Sequence, residues 1–240
     1  MGTCIEVKDL TKSFNGRTVV DGLSFQVQTG EVFGLLGHNG AGKSTTIDLL
    51  LGLKKADRGK GTIFGLEPEK NRKQVFERVG IQLQSSNYQN NIRVREVCEQ
   101  MSVLYKSPAD YHELLRFFSL EQFENAQVNK LSGGEKQRLS VALALINQPE
   151  IVFLDELTTG LDTAARRDVW KRLKELKDKG TTIFLTTHYM EEAESLCDRV
   201  CLIKDGKKVI EGTVQEVIAG SPFDHLEEAY LWYMGEEEAQ

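Results

Sequence analysis

The chain has 240 residues, of which 40% are hydrophobic and 28% are charged, an ordinary composition for a soluble globular protein. The formal net charge of -6 argues against a nucleic-acid backbone as the main partner, since proteins that bind one usually carry a basic excess or a basic face. No apolar run approaches the roughly 18 residues that span a bilayer, so we expect a cytoplasmic chain that reaches a membrane only through another polypeptide. The 4 cysteines are scattered and match no zinc spacing, which favours reduced thiols.

The first quarter of the chain contains three strand patterns, followed by a glycine loop and a helix pattern. Residues 5–10 and 23–27 alternate apolar and polar side chains, as half-buried strands do. Residues 32–36 are almost entirely apolar, which indicates a strand buried on both faces. The glycine loop, Gly37–Ser44, follows, and residues 45–52 are predicted to form a helix.

The middle of the chain changes character. Residues 94–105 and 111–118 place apolar side chains at helical spacing with few strand signals, and this pattern continues through residues 134–146. We therefore expect a mostly helical lobe over about residues 85–147.

The remainder returns to short strands. Residues 151–154 and 181–186 are apolar segments on either side of an amphipathic stretch, 163–179, and this strand–helix–strand order predicts a parallel sheet. An Asp205-Gly206 pair between apolar runs predicts a hairpin. A helical tail is expected over about residues 213–240.

The glycine loop matches the pattern G-x-x-x-x-G-K-[ST], which binds phosphate. Glycines let successive backbone N–H groups converge on an anion, and the following helix directs its positive end at the same point. Lys43 would reach the β- and γ-phosphates, and the Ser44 hydroxyl would contact Mg²⁺. The nucleotide-binding residues predicted here are Gly37, His38, Asn39, Gly40, Ala41, Gly42, Lys43, Ser44 and Thr45.

An acidic pair follows the buried strand 151–154. Asp155 stands at the carboxyl end of this strand, where ligands bind in open parallel sheets, and could hold Mg²⁺. Glu156 is then free to polarise an attacking water. Alternatively, the two carboxylates are simply the entry charges of the next segment, an interpretation that the glycine loop makes less attractive.

A second phosphate cradle is predicted at the signature segment, residues 131–135, which reads L-S-G-G-E. Ser132 offers a hydroxyl, Gly133 and Gly134 expose their N–H groups, and Glu135 completes the start of a helix. L-S-G-G-E is the hallmark of ATP-binding cassette (ABC) proteins, and the chain resembles a nucleotide-binding subunit of an ABC transporter of the ABC-2 or drug-exporter type. The resemblance covers about residues 5–210.

The resemblance implies an α/β fold, with a P-loop NTPase parallel-sheet core, an antiparallel β subdomain and an inserted α-helical lobe, all in one domain of residues 1–240. It also implies a head-to-tail dimer in which the signature segment caps ATP held by the glycine loop of the other subunit.

Further site residues follow from the resemblance, position by position. Phe14 falls where the family stacks an aromatic ring on adenine, although a core phenylalanine would give the same sequence. Gln84 aligns with a catalytic glutamine that touches Mg²⁺, with Gln82 as a competitor. Asp162 lies in a segment that resembles the family loop that crosses the dimer interface. His188 resembles the family histidine that contacts the γ-phosphate and positions the water. Mg²⁺ would be held by Ser44, Gln84 and Asp155.

Two positions depart from the family pattern. Leu157 replaces the usual proline after the acidic pair, so the following turn loses a fixed φ and the position of Asp162 is less constrained. His38 stands where proline is common, and its effect should be mild because only backbone faces the phosphate there.

The resemblance implies an ATPase that drives a separate polytopic membrane permease, as a homodimer at the cytoplasmic face of the cell membrane. The short tail favours an exporter of a drug, lipid or peptide. The alternative is a soluble ABC ATPase outside transport, such as an iron–sulfur assembly ATPase.

Overall fold

The computed structural model describes residues 2–82 and 88–235, which divide into two compact units. The first unit comprises Met1–Val75 and Thr182–Gln240, and the second comprises Phe76–Thr181. The strands are β1 (Thr3–Phe14), β2 (Arg17–Gln28), β3 (Val32–Leu36), β4 (Arg58–Ile63), β5 (Val79–Gln82), β6 (Ile151–Asp155), β7 (Thr182–Thr187), β8 (Arg199–Lys204) and β9 (Lys207–Thr213). The helices are α1 (Lys43–Leu50), α2 (Arg72–Phe76), α3 (Val94–Ser102), α4 (Tyr111–Phe117), α5 (Gly133–Ala144), α6 (Thr163–Asp178), α7 (Met190–Leu196), α8 (Val214–Ala219) and α9 (Leu226–Met234). Short 3₁₀ helices cover Glu121–Phe123 and Val128–Lys130.

The first unit contains an antiparallel sheet of order β2-β1-β4. Ile5 is central to it, since it pairs with Val27 on one side and Ile63 on the other. Strand β4 was not predicted, because its sequence contains two glycines and does not alternate apolar and polar residues. Position 59 in β4 has no room for a side chain, because a Cβ on Gly59 would lie 2.2 Å from the carbonyl oxygen of Asp9.

The first unit also contains neighbouring strands in the order β7-β3-β8-β9. Strand β3 pairs in parallel with β7 and with β8, as its fully buried apolar sequence predicted. Strand β9 pairs antiparallel to β8. The predicted Asp205-Gly206 hairpin is confirmed, and both turn residues have positive φ, 48° and 79°, as a type I′ turn requires.

Three phenylalanines join the antiparallel sheet to the parallel strands of this unit. Phe25 of β2, Phe33 of β3 and Phe184 of β7 stack with ring centroids 5.3 to 5.9 Å apart, and all three are buried. Offset aromatic stacking adds to the burial of their area. The cluster therefore ties both sheets of the first unit into one hydrophobic core.

Over its described residues, 213–235, the C-terminal tail forms two helices rather than one. Helix α8 ends at Ala219 and α9 begins at Leu226, with Gly220 and Pro222 between them. The Tyr233 hydroxyl donates to the carbonyl of Val217 over 3.2 Å, so α9 folds back against α8. The predicted single helix was wrong because glycine and proline interrupt the chain at this point.

The second unit places helices α3 to α6 beside the parallel pair β5–β6. Helix α5 approaches β5 so closely that a Cβ on Gly80 would lie 2.0 Å from the Ala144 carbonyl oxygen. Arg78 and Glu150 form a two-pronged ion pair at the start of the strand pair, with N–O distances of 2.6 and 2.9 Å. The Arg78 guanidinium lowers the pKa of the Glu150 carboxyl below its usual value.

Candidate functional site

The glycine loop links β3 to α1 in the first unit, as the sequence predicts. Gly40 and Gly42 have φ of 87° and 107°, conformations that side chains with a Cβ rarely adopt. At Gly42 a Cβ would also lie 2.6 Å from the Val19 carbonyl oxygen. His38, Asn39 and Gly40 are exposed at the crest of the loop, whereas Ala41 and Gly42 are buried at its base. Only glycine satisfies both the backbone angles and the close approach at Gly42.

The Lys43 side chain lies across the glycine loop. It is 4% exposed, and its ammonium donates to the carbonyls of Gly37 and His38 over 2.9 and 3.2 Å. Lys43 begins α1, whose first N–H groups and positive dipole end face the loop, and Ser44 and Thr45 follow in the same turn. A fixed cation beside a helix N-terminus makes a local site for an anion in a chain of net negative charge.

His188 follows directly on β7. Because Leu36 of β3 pairs with Thr187 of β7, the glycine loop and His188 leave the ends of neighbouring parallel strands. The Thr187 hydroxyl accepts from the Tyr189 N–H over 3.0 Å and so shapes the chain around His188. The structure thus brings together two site elements that are about 150 residues apart in sequence.

Phe14 ends β1 and is 38% exposed, so it is not a core residue. The ammonium groups of Lys12 and Lys54 lie 5.4 and 5.3 Å from its ring centroid. These distances are those of cation–π contacts. An exposed ring beside two cations is accessible to a flat partner, and the sequence alone gave no sign of the lysines.

The acidic pair stands at the end of β6 in the second unit. Asp155 is the last residue of β6 and is 4% exposed, and Glu156 is 9% exposed. Glu156 has φ of 49°, an uncommon conformation for a residue with a side chain. Strained backbone conformations persist only where the surrounding fold holds them in place, and they cluster at functional sites. We name residues 155–161 the acidic turn.

The signature segment starts helix α5. The Ser132 hydroxyl accepts from the Glu135 N–H over 3.3 Å, and the Glu135 carboxylate accepts from the Ser132 N–H over 2.7 Å, forming a capping box. Ser132 and Gly133 are exposed, and a Cβ at Gly133 would meet no atom within 4 Å. The helix start is therefore rigid, glycine-lined and open to a ligand.

Asp162 caps helix α6 close to the signature segment. Its carboxylate accepts from the Ala165 N–H over 2.9 Å. A Cβ on Gly134 would lie 3.2 Å from the Ala165 Cβ, which shows how near the starts of α5 and α6 come. The second unit therefore groups the signature segment with Asp162.

Gln84 lies outside the described residues. Its competitor Gln82 is the last residue of β5, is 3% exposed and pairs with Leu154 of β6.

One contact of the candidate site in the second unit was not predicted from the sequence. The Gln137 side-chain amide of α5 donates to the main-chain carbonyl of Leu157 in the acidic turn. Leu157 is 3% exposed. At this position burial of the leucine side chain restrains the chain, whereas the proline of the family pattern would fix the backbone through its ring. No sequence motif could have paired a helix residue with a backbone atom 20 residues away.

The profile of the ABC transporter family matches residues 20–159 of the chain. A Nod factor export ATP-binding protein I of Paraburkholderia xenovorans is 46% identical over 221 residues, which cover 90% of this chain and 72% of that protein. A solved ATP-binding subunit of an ABC transporter superposes with a TM-score of 0.87 at 29% identity, over 97% of this chain and all of that one. A dimeric ATP-binding cassette bound to ADP and Pi superposes with a TM-score of 0.78 at 25% identity, over 87% and 98% of the two chains. Within residues 2–82 and 88–235, no helix combines the length and hydropathy needed to cross a membrane.

Proposed function

Because the chain belongs to the ABC transporter family as an ATP-binding and ATP-hydrolysing subunit, we propose that it powers an exporter whose permease is a separate membrane chain. Its relatives named for Nod factor export support the direction of transport. We further propose that both units together form one nucleotide-binding domain over residues 1–240, with a helical lobe over about 85–147 and a tail over about 213–240. The family match spans residues of both units.

The observation that carries the nucleotide site is the placement of Lys43. Its ammonium sits over the glycine loop at the start of α1, where converging N–H groups would meet phosphate oxygens. His188, at the end of the neighbouring strand, would contact the γ-phosphate and steady the attacking water. Phe14 would stack on the adenine.

The residues present fit Mg²⁺. Ser44 offers a hydroxyl in the first turn of α1, and Asp155 offers a buried carboxylate at a strand end. In the described part of the chain, no cluster of three or more His, Cys, Asp or Glu side chains forms a protein-only metal cage. Mg²⁺ in nucleotide sites is typically bound by one or two protein oxygens together with phosphates and water. The ion would neutralise phosphate charge, and Gln84 would complete its protein ligands.

Glu156 would act on the attacking water, and electrostatic positioning would supply most of the catalysis. Ser132, Gly133, Gly134 and Glu135 would cap ATP held by a second copy of the chain, with Asp162 at the interface. Two copies would close on two ATP molecules and part after hydrolysis, which shifts the population of permease states. The dimeric cassette solved with ADP and Pi supports this arrangement.

A groove in the second unit is our proposed docking site for the permease. It lies between α3, α5 and the end of β5, and its volume is about 530 Å³. Ile92, Met101 and Leu143 line it. Leu104 also lines it. Leu104 and its neighbour in the chain, Val103, are 69% and 82% exposed, so apolar surface is available for a cytoplasmic helix of the membrane partner.

A trapping experiment tests this function. Glu156→Gln keeps the shape of the side chain but removes its basicity, so we expect ATP binding and dimer formation without turnover. Glu121→Gln, in an exposed 3₁₀ helix, is the matched control and should hydrolyse ATP at the wild-type rate. Steady hydrolysis by Glu156→Gln at that rate would contradict the assignment.

The same variant tests the partner. Trapped with ATP in gently solubilised source membranes, it should copurify with a polytopic membrane protein. Recovery of soluble proteins alone with a well-formed dimer would favour an ABC ATPase outside transport, such as an iron–sulfur assembly ATPase.

A further inference from the structure

The hydrogen bond from Gln137 to Leu157 connects two motifs of the second unit. Gln137 lies on α5, one helical turn beyond Gly133 of the signature segment. Leu157 follows Glu156 directly in the acidic turn. The half-buried Nε2 group of Gln137 donates to the Leu157 carbonyl. A side chain of the signature helix therefore holds the backbone adjacent to Glu156.

The acidic turn needs such a restraint. Glu156 has φ of 49°, a conformation that persists only when the surroundings impose it. Within the turn, Thr159 donates to the Glu156 carbonyl over 3.3 Å and Leu161 to the Thr158 carbonyl over 3.2 Å, both at the long end of the hydrogen-bond range. Leu157 has no ring to fix its φ, unlike proline. The bond from Gln137 supplies a restraint that the turn itself lacks.

Helix α5 is a firm support for this restraint. Its start is closed by the capping box of Ser132 and Glu135. Its middle is tied to α6 by the ion pair of Arg138 and Asp168 over 3.1 Å. Its end packs against β5, where Gly80 leaves no room for a side chain. Because α5 is held at its start, middle and end, its Gln137 side chain restrains the Leu157 carbonyl to which it donates.

We propose that Gln137 is a positioning residue that sets the orientation of Glu156 through the Leu157 carbonyl and joins helix α5, which begins with the signature segment, to the acidic turn. The proposal rests on the proposed function, in which Glu156 acts on the attacking water. ATP bound at the signature segment of a subunit would thereby be linked to hydrolysis at that subunit's own glutamate.

Gln137→Leu tests the proposal, because leucine has similar volume but no donor. We expect kcat for ATP hydrolysis to fall about tenfold, a barrier increase of about 1.4 kcal/mol. The KM for ATP and the ATP-dependent dimerisation of the Glu156→Gln,Gln137→Leu protein should change less than about twofold. A residue that only stabilised the fold would lower kcat, nucleotide affinity and Tm together.

Three companion variants keep the test decisive. Gln122→Leu removes a matched amide-to-carbonyl bond, from Gln122 to Ser119 over 3.2 Å, on the surface of the same unit, and should leave kcat unchanged. Gln137→Lys retains an N–H donor and should recover most of the rate. Gln137→Asn is one methylene too short to reach, so it should reproduce the loss even if leucine disturbs folding.

The results distinguish failure of the role proposed for Gln137 from failure of the proposed function. An unchanged kcat in Gln137→Leu and Gln137→Asn, with active wild-type protein, would overturn the role of Gln137 alone. A uniform fall in kcat, affinity and Tm would also overturn it. Full activity of Glu156→Gln would instead refute the assigned function.

Discussion

The backbone N–H of Gly206 donates a hydrogen bond of 3.0 Å to the carbonyl of Ala41, and so links the β8–β9 turn to the base of the glycine loop. The Gly206 carbonyl in turn accepts from the Asp21 N–H over 2.9 Å. Gly206 has φ of 79°, and a Cβ there would lie 2.4 Å from the Val19 carbonyl oxygen. The turn therefore braces the glycine loop and lies between that loop and β2.

Replacing the brace residue should weaken nucleotide binding. Gly206→Ala adds backbone strain and a clash with Val19, which together push the turn away from Ala41. We expect ATP affinity to fall about tenfold and Tm to fall by roughly 2–4 °C per kcal/mol lost, as is usual for a chain of this size. Titration with a fluorescent nucleotide and a thermal melt measure the two effects.

Gly65→Ala is the control for this substitution. Gly65 has φ of 74°, yet a Cβ there would meet no atom within 4 Å. It should therefore lower Tm through strain alone and leave ATP affinity unchanged. Equal affinity losses in the two variants would show that the turn does not brace the loop.

Lys43→Ala should abolish tight ATP binding. The variant loses an ammonium that the fold already directs over the loop, and hydrogen bonds to charged groups contribute about 1.5–3 kcal/mol each. We expect at least a tenfold rise in the Kd for ATP in a direct titration. Lys8→Ala, which removes an exposed lysine of β1, should bind like wild type. Unchanged affinity in Lys43→Ala would contradict the cradle.

Phe14→Ala should weaken ATP binding without weakening the fold. Stacking of a base on an aromatic ring contributes about 1–3 kcal/mol, so we expect a rise in Kd of roughly tenfold or more. Tm should change little because Phe14 is 38% exposed. Phe14→Trp should retain affinity. Phe223→Ala, where the side chain is 36% exposed, is the control in the same unit, and an equal effect there would exclude specific stacking.

Periodicity and turn chemistry predicted most elements of the fold. The buried strands β3 and β6 were found because their sequences are almost wholly apolar, and the β8–β9 hairpin because Asp205-Gly206 suits a type I′ turn. Strands β4 and β5 and helices α2 and α7 were missed, since β4 is glycine-rich and partly exposed and the other three span only 4, 5 and 7 residues. Local sequence carries little signal for an element that depends on its neighbours for stability.

The motifs of the candidate site were visible in sequence, but their supports were not. The glycine loop and the signature segment are contiguous, so short patterns identify them. The contact of Gly206 with Ala41 and that of Gln137 with Leu157 join a backbone atom to a group 165 or 20 residues away. Any residue type can offer a backbone carbonyl, so no pattern of side chains points to such a pair.

Two buried thiols should make the protein less stable in alkali. Burial, with added repulsion from nearby glutamates, raises the pKa of Cys98 and of Cys201 from 9.0 to about 12. Between these values the unfolded chain releases thiol protons that the folded chain retains, so the free energy of unfolding falls as pH rises from 9.0 towards 12. Urea unfolding at about pH 8 and about pH 10 measures the slope. Cys98→Ala,Cys201→Ala should flatten it, and an equal slope in that variant would assign the pH dependence to other groups.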